Sequence, residues 1–230
     1  MRSRLLLASV VLTMGAAALA QDKKPLSPEE MHRLHQDPKA YIAMLEDPER
    51  DAYQKPHEVM TALGLKPGQV IADIGSGSGY FTLRLAAHVG DSGRVYGVDI
   101  DPEMVRHLNR RVRDAALRNV HVLLADADDP LLPEPVDRFL IVDTWHHVEA
   151  RARYLALMHK LLKPGGQVIM IDFHKRQLPL GPPLAMKIAR EDLIREMQAN
   201  GFHVVKEHTF LPYQYFLVFE AAIPTGGSSR

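Results

Sequence analysis

The stretch Val70-Ile71-Ala72-Asp73-Ile74-Gly75-Ser76-Gly77-Ser78-Gly79-Tyr80-Phe81 constrains what this chain can fold into more than any other. A short apolar run ending in an acid reads as a buried strand, and three alternating glycines let the backbone turn sharply at positive φ. The helix that follows points its first amide groups back at whatever lies in the turn. Strand, turn and helix together form a cradle for a small ligand. A second apolar run, Val95-Tyr96-Gly97-Val98-Asp99, ends in an acid 20 residues after Gly79, the position from which an Asp takes the hydroxyls of a ribose.

Glycine spacing narrows the ligand further. A turn built around a pyrophosphate follows G-x-G-x-x-G, and here Tyr80 stands where the third glycine of that pattern falls. The spacing favours a nucleoside cofactor without phosphates. From Asp73 to Gly79 the residues resemble the first motif of the class I S-adenosylmethionine-dependent methyltransferases, an acid, an apolar residue and G-x-G-x-G. The resemblance continues along the chain. Leu124-Ala125-Asp126-Ala127 is similar to the adenine-binding motif of that family, residues 137–148 to its fourth strand, and Leu161-Leu162-Lys163-Pro164-Gly165-Gly166 to the turn before its fifth. It implies S-adenosylmethionine as cofactor, with Asp73 and the backbone of Gly75 and Gly77 facing the methionine part, Asp99 the ribose, and Asp126 with the Ala127 amide the adenine. Ser76, Gly79, Ile100 and Asp143 complete the implied cofactor set.

Strand-like runs at 69–74, 94–100, 120–125, 138–143 and 166–173 alternate with helical ones, the mark of βαβ units and a parallel sheet. A helix over 80–89 carries Phe81, Leu85 and Val89 on one stripe. Another over 102–117 opens with Asp101 as cap and Pro102 as first residue, and a third covers 150–162. After Pro179, Pro182 and Pro183 come a helix near 190–199 and two strand-like runs at 202–210 and 214–222. The gap Leu211-Pro212-Tyr213 is so short that this pair must be antiparallel. The expected fold class is therefore α/β: a Rossmann-like, seven-stranded, mostly parallel sheet with helices on both faces and an antiparallel C-terminal strand pair. Residues 66–223 would form this domain, 21–65 an N-terminal helical lid over the cofactor, and 224–230 a disordered tail.

Residues 1–20 read as a secretory leader: Arg2 and Arg4, an apolar or small run over 5–19, and Ala18-Leu19-Ala20 before polar Gln21. The run falls short of the ~20 residues that span a bilayer, so cleavage, periplasmic export and no stable membrane insertion are expected. This sets up a conflict, because the implied methyl donor is made in the cytoplasm. Without the leader, 26 basic side chains stand against 28 acidic ones, a balance with no general attraction for nucleic acid. The densest basic run, 106–113, shares its helix with the apolar stripe Met104, Leu108 and Val112 and reads as a solvated outer face. Absence of cysteine excludes disulfides, thiol nucleophiles and thiolate metal sites. It also counts against an arsenite methyltransferase, a relative that holds its substrate with thiols.

Chemistry is expected at the carboxyl edge of the sheet, where the fourth strand runs into Asp143-Thr144-Trp145-His146-His147. His146 and His147 are the candidate catalytic residues, because an imidazole titrates near pH 6.5 and can take a proton from an acceptor. Methyltransferases of ubiquinone and menaquinone synthesis have a similar pair. Sequence neighbours need not point the same way, and no metal is expected there. Arg50, Tyr53, Gln54 and His174 are candidates for the acceptor pocket, with a small or lipid-like acceptor as partner. A non-catalytic exported nucleoside-binding protein and an NAD(P)-dependent oxidoreductase are the alternatives. Mass spectrometry of protein from its native host should find Gln21, or its cyclised form, at the N-terminus; intact Met1 in a cytoplasmic fraction would overturn export.

Overall fold

A computed structural model describes residues 26–222; the leader expected at 1–20 and the tail expected at 224–230 lie outside the described residues. Four short helices come first: α1 (Pro28–His35), α2 (Pro38–Leu45), α3 (Arg50–Gln54) and α4 (Pro56–Leu63). Three of the starts have a local cause. Ser27 and Glu30 form a reciprocal capping box at α1, and the Asp37 carboxylate accepts the Lys39 and Ala40 amides at α2. Three of the four carry proline in the first turn, where its missing N–H is not needed. Lys55, at φ 43°, makes the left-handed corner between α3 and α4.

The rest alternates as expected: β1 (Val70–Ile74), α5 (Thr82–Val89), β2 (Arg94–Asp99), α6 (Pro102–Asp114), β3 (Val120–Leu124), β4 (Val136–Val142), α7 (Arg151–Leu161), β5 (Leu162–Phe173), α8 (Arg190–Ala199), β6 (Phe202–His208) and β7 (Gln214–Ala221). The seven strands lie in the order β3-β2-β1-β4-β5-β7-β6. The first five are parallel, and β7 enters antiparallel between β5 and β6. The order reverses at β1, so the carboxyl ends of β1, β2 and β4 border a crevice.

Side chains alternate between the two faces of the strands. Ala72, Ile74, Phe139, Ile141, Val168 and Met170 pack on one side with α7 and α8. Ile71, Leu140, Ile169 and Ile171 pack on the other with α4, α5 and α6. Both faces are covered, which is why the central strands read as continuous apolar runs.

Three of the boundary differences from the sequence expectation have a clear physical reason. Helix α5 starts at Thr82, because the turn through Gly79 at φ 87° carries Tyr80 and Phe81 before the helix settles. Helix α6 ends at Asp114, because Ala116 is left-handed at φ 51°. Strand β5 begins at Leu162, which pairs with Val136, and a register shift carries the expected turn as an irregularity before Gln167 pairs with Arg138.

Leu108 of α6 locks the cradle from beneath. Its fully buried side chain fills the space where a Cβ would sit on both Gly79 and Gly97. Leu108→Ala should therefore cost ~2–5 kcal/mol in urea denaturation, and a loss of less than ~1 kcal/mol would contradict this packing.

Candidate functional site

The glycine turn rests on the end of the neighbouring strand. The amides of Gly75 and Ser76 both donate to the Val98 carbonyl, at 2.8 and 3.0 Å, and the Gly77 amide donates to Asp99 Oδ2 at 2.8 Å. Asp101 donates its amide to the other oxygen, Oδ1, at 3.0 Å. Gly75, Gly77 and Gly79 all lie at positive φ, and a Cβ on Gly75 would overlap the Thr144 side chain. Burial raises the pKa of Asp99 against the pull of these amides. Asp73 is buried behind the turn, where the Thr82 hydroxyl donates to it at 2.6 Å; burial pushes its pKa up to about 6.

Around this turn the chain offers what a nucleoside cofactor with an amino-acid end requires. The Ser76 and Ser78 hydroxyls are buried without a partner among the described residues, and such groups are costly unless something completes them. Ile100 is 61% exposed beside Asp99, an apolar side chain left in the open at the cradle. Asp126 and Ala127 are exposed beyond the end of β3.

The N-terminal segment covers the cradle. A Cβ on Gly77 would lie 3.0 Å from Leu45 of α2. Glu46 reaches His107 and Arg111 of α6 at 2.7 and 3.0 Å, and Arg111 donates to the Ser78 carbonyl at 2.9 Å. From α3, Asp51 accepts the Tyr80 hydroxyl, while Arg50 and Arg84 each stack on the Tyr80 ring at 4.2 Å. Tyr41 of α2 has its pKa pushed up to about 12, by burial and then by the charge of Asp99.

A second constellation lies at the ends of β4 and β5. Asp143 sits at φ 52°, an uncommon conformation for a residue with a side chain, and one often found at functional sites. Its carboxylate is held by two amides, Gln54 Nε2 at 2.6 Å from α3 and Gln214 Nε2 at 2.7 Å from β7. Burial raises its pKa, and the charge of Asp172 adds to that. Next along the chain is a 3₁₀ turn, Trp145–His147. Trp145 turns inward and donates to Glu196 at 3.0 Å, whereas His146 Nδ1 lies 3.1 Å from Asp172 Oδ2. His147 lies beside His146, with ring centroids 4.2 Å apart, and its ring is also 5.4 Å from that of His35 on α1.

The two histidines consequently differ as bases. Burial works against charging His146, but the hydrogen bond and charge of Asp172, helped by Asp143, outweigh it and raise its pKa. His147 reaches solvent, yet burial of its ring, followed by the charges of His146 and His35, holds it well below the ordinary imidazole range.

The comparisons fit this architecture. A family model described as a methyltransferase domain matches residues 71–166. Residues 71–166 thus match a methyltransferase domain, on a fold close to that of the class I enzymes. A solved S-adenosylmethionine-dependent methyltransferase from Aquifex aeolicus superposes with a TM-score of 0.74 at 27% identity, covering 80% of this chain and 97% of that one. Magnesium protoporphyrin IX methyltransferase from Synechocystis, solved with its methyl donor bound, shares the fold at a TM-score of 0.60 and 18% identity, over 82% of this chain and 91% of that one. Among curated proteins, the ubiquinone/menaquinone biosynthesis C-methyltransferase UbiE of Vibrio parahaemolyticus is 34% identical over 62% of this chain and 51% of its own length. That of Coxiella burnetii is 35% identical over 52% and 48%. The chain thus spans about half the length of the curated relatives it matches.

Most residues singled out in the sequence converge on one edge of this methyltransferase domain. Asp73, Gly75, Ser76, Gly77, Gly79, Asp99 and Ile100 form the cradle; Asp126 and Ala127 flank it. Tyr53 lies between Phe173 and Tyr213, with ring centroids 6.2 and 6.4 Å apart, and His174 packs on Tyr215 at 5.8 Å. Gln54 and Asp143, expected at acceptor and cofactor, are hydrogen-bonded to each other. Sequence reasoning missed Tyr41, Asp172, Gln214 and Tyr215. Asp172 was findable by the argument already applied to Asp73 and Asp99, as a lone acid closing an apolar strand.

Asp99→Ala should weaken binding of S-adenosylhomocysteine about tenfold to a hundredfold by calorimetry, the loss expected for a charge-assisted hydrogen bond worth ~1.5–3 kcal/mol. Unchanged affinity in a folded variant would remove Asp99 from the cofactor site.

Proposed function

We propose that this chain transfers a methyl group from S-adenosylmethionine to a carbon or oxygen atom of a small, planar, apolar acceptor, with His146 accepting the proton that the acceptor loses. The observation that carries this reading is the buried His146, whose Nδ1 is engaged by Asp172 while Nε2 has no partner among the described residues, at the same sheet edge as the glycine cradle. When bound, the cofactor supplies an electrophilic methyl group on a sulfonium.

This chain's residues align, enclose and deprotonate. The cradle and Asp99 hold the donor; alignment of two reactants alone is worth ~7–11 kcal/mol. Tyr53, Phe173 and Tyr213 form an aromatic cluster at the end of β5, an apolar neighbourhood suited to a planar ring. Leu45 lies over Gly77 and Tyr41 lies near Asp99, which places two largely apolar side chains beside the cradle. Methylation at carbon needs a base for the displaced proton, and so does a weakly acidic hydroxyl. The C-methyltransferase relatives support a quinone-like ring as the acceptor. Periplasmic localisation belongs to the same proposal and is supported by the leader-like start, 1–20.

His146→Ala should lower turnover ~10²–10⁴-fold with donor affinity unchanged, the range for a positioned general base. His147→Ala should have a much smaller effect, because its depressed pKa makes it a weak base. His146 must be neutral to accept a proton, and its pKa is raised. The rate should accordingly fall as pH drops through a value above the ordinary 6.5. Full activity in His146→Ala would remove it from the mechanism and point to an acceptor that is already nucleophilic, such as an amine.

A further inference from the structure

We propose that Asp172, at the end of β5, is the positioning residue for His146: it holds the imidazole with its proton on Nδ1 and leaves Nε2 as the only nitrogen able to take a proton from the acceptor. This rests on the reading of His146 as the proton acceptor and extends it to a residue that touches no substrate.

The geometry leaves the pair little alternative. The two side chains are 3% and 2% exposed, and Nδ1 lies 3.1 Å from Asp172 Oδ2. The other carboxylate oxygen, Oδ1, accepts the Phe173 amide at 2.7 Å, which fixes the carboxylate plane relative to the backbone of β5. An ionised carboxylate only accepts hydrogen bonds, so the shared proton sits on Nδ1 when the imidazole is neutral. The strand pairing completes the seat. Asp172 is opposite Tyr215 in the antiparallel β5–β7 ladder, and the buried Tyr215 hydroxyl has no partner among the described residues. Nothing else described therefore competes with His146 for Oδ2.

The charged and titratable groups that face His146 come from five directions. Asp172 approaches from β5, Asp143 from the end of β4 and Arg151 from α7. His147 comes from its own turn, with its ring centroid 4.2 Å away, and His35 from α1. Arg151 is partly occupied by Glu196, 3.7 Å away. Of the two carboxylates that favour the charged imidazole, only Asp172 touches it; Asp143 is bound by Gln54 and Gln214. Removing the Asp172 charge leaves burial as the leading influence, and burial alone favours the neutral ring.

Asp172→Asn keeps the shape and an oxygen for Nδ1 while deleting the charge. NMR titration of His146 in the full chain should give a midpoint above 6.5 in the wild type and one on the acid side of 6.5 in Asp172→Asn, with thermal unfolding used to confirm that the variant is folded. In turnover, the acidic limb of the pH–rate profile should move the same way, with the donor KM unchanged. Nitrogen chemical shifts of wild-type His146 above its midpoint should report a proton on Nδ1 and a bare Nε2. An unchanged midpoint in a folded variant, or a neutral wild-type ring protonated on Nε2, would overturn the positioning role. If Asp172→Asn does not fold, the wild-type tautomer decides alone. Failure of the broader reading looks different: full turnover in His146→Ala with the tautomer and midpoint as described would remove the histidine from catalysis and leave its coupling to Asp172 intact.

Discussion

Three hydrogen bonds between the β1–α5 turn and the end of β2 hold the site together. Gly75 and Ser76 donate to the Val98 carbonyl, and Gly77 donates to the Asp99 carboxylate. These three amides take their acceptors from outside the turn, and each such bond left unmade while buried costs ~1–3 kcal/mol. Here the neighbouring strand supplies the acceptors. The same bonds fix where Asp99 points, so the position of the ribose-type acid and the shape of the turn are one constraint. That constraint requires close approach of β2, the turn and α6, which Gly97 and Gly79 allow by leaving room for Leu108.

The N-terminal segment joins this cradle to the second half of the site. Its α2 and α3 contact the turn through Leu45, the Asp51–Tyr80 hydrogen bond and the stacking of Arg50 on Tyr80. One residue beyond Tyr53, Gln54 donates to Asp143 at the end of β4. Displacing α3 would therefore disturb the glycine turn and uncover a buried carboxylate together. Lys55 closes the segment at a left-handed corner and donates to the Phe210 carbonyl at 3.0 Å.

Features that depend on neighbouring residues were legible in the sequence. The glycine turn, the acid after β2, the capped start of α6 and its stripe of Met104, Leu108 and Val112 all show in short windows, and the structure places them as read. The antiparallel pair at the C-terminus was legible because its loop is too short for a crossover. Features that depend on pairing between distant strands were not. Leu162 belongs to β5 because Val136 lies opposite it, and no local pattern reports that. Asp172 and Gln214 come together through the β5–β7 register, which sets Phe173 against Gln214. Adjacent histidines looked equivalent on paper. They differ because one is hydrogen-bonded to a buried carboxylate and the other has only two imidazoles, His146 and His35, beside it.

With Tyr80 in place of a third pyrophosphate glycine, this cradle suits a nucleoside cofactor with an amino-acid end and not a dinucleotide. Calorimetric titration of the protein with S-adenosylhomocysteine and, separately, with NAD tests it most directly. S-adenosylhomocysteine should bind saturably at one site per chain, and NAD should give no heat of binding. Binding of NAD, or of neither, would contradict this assignment.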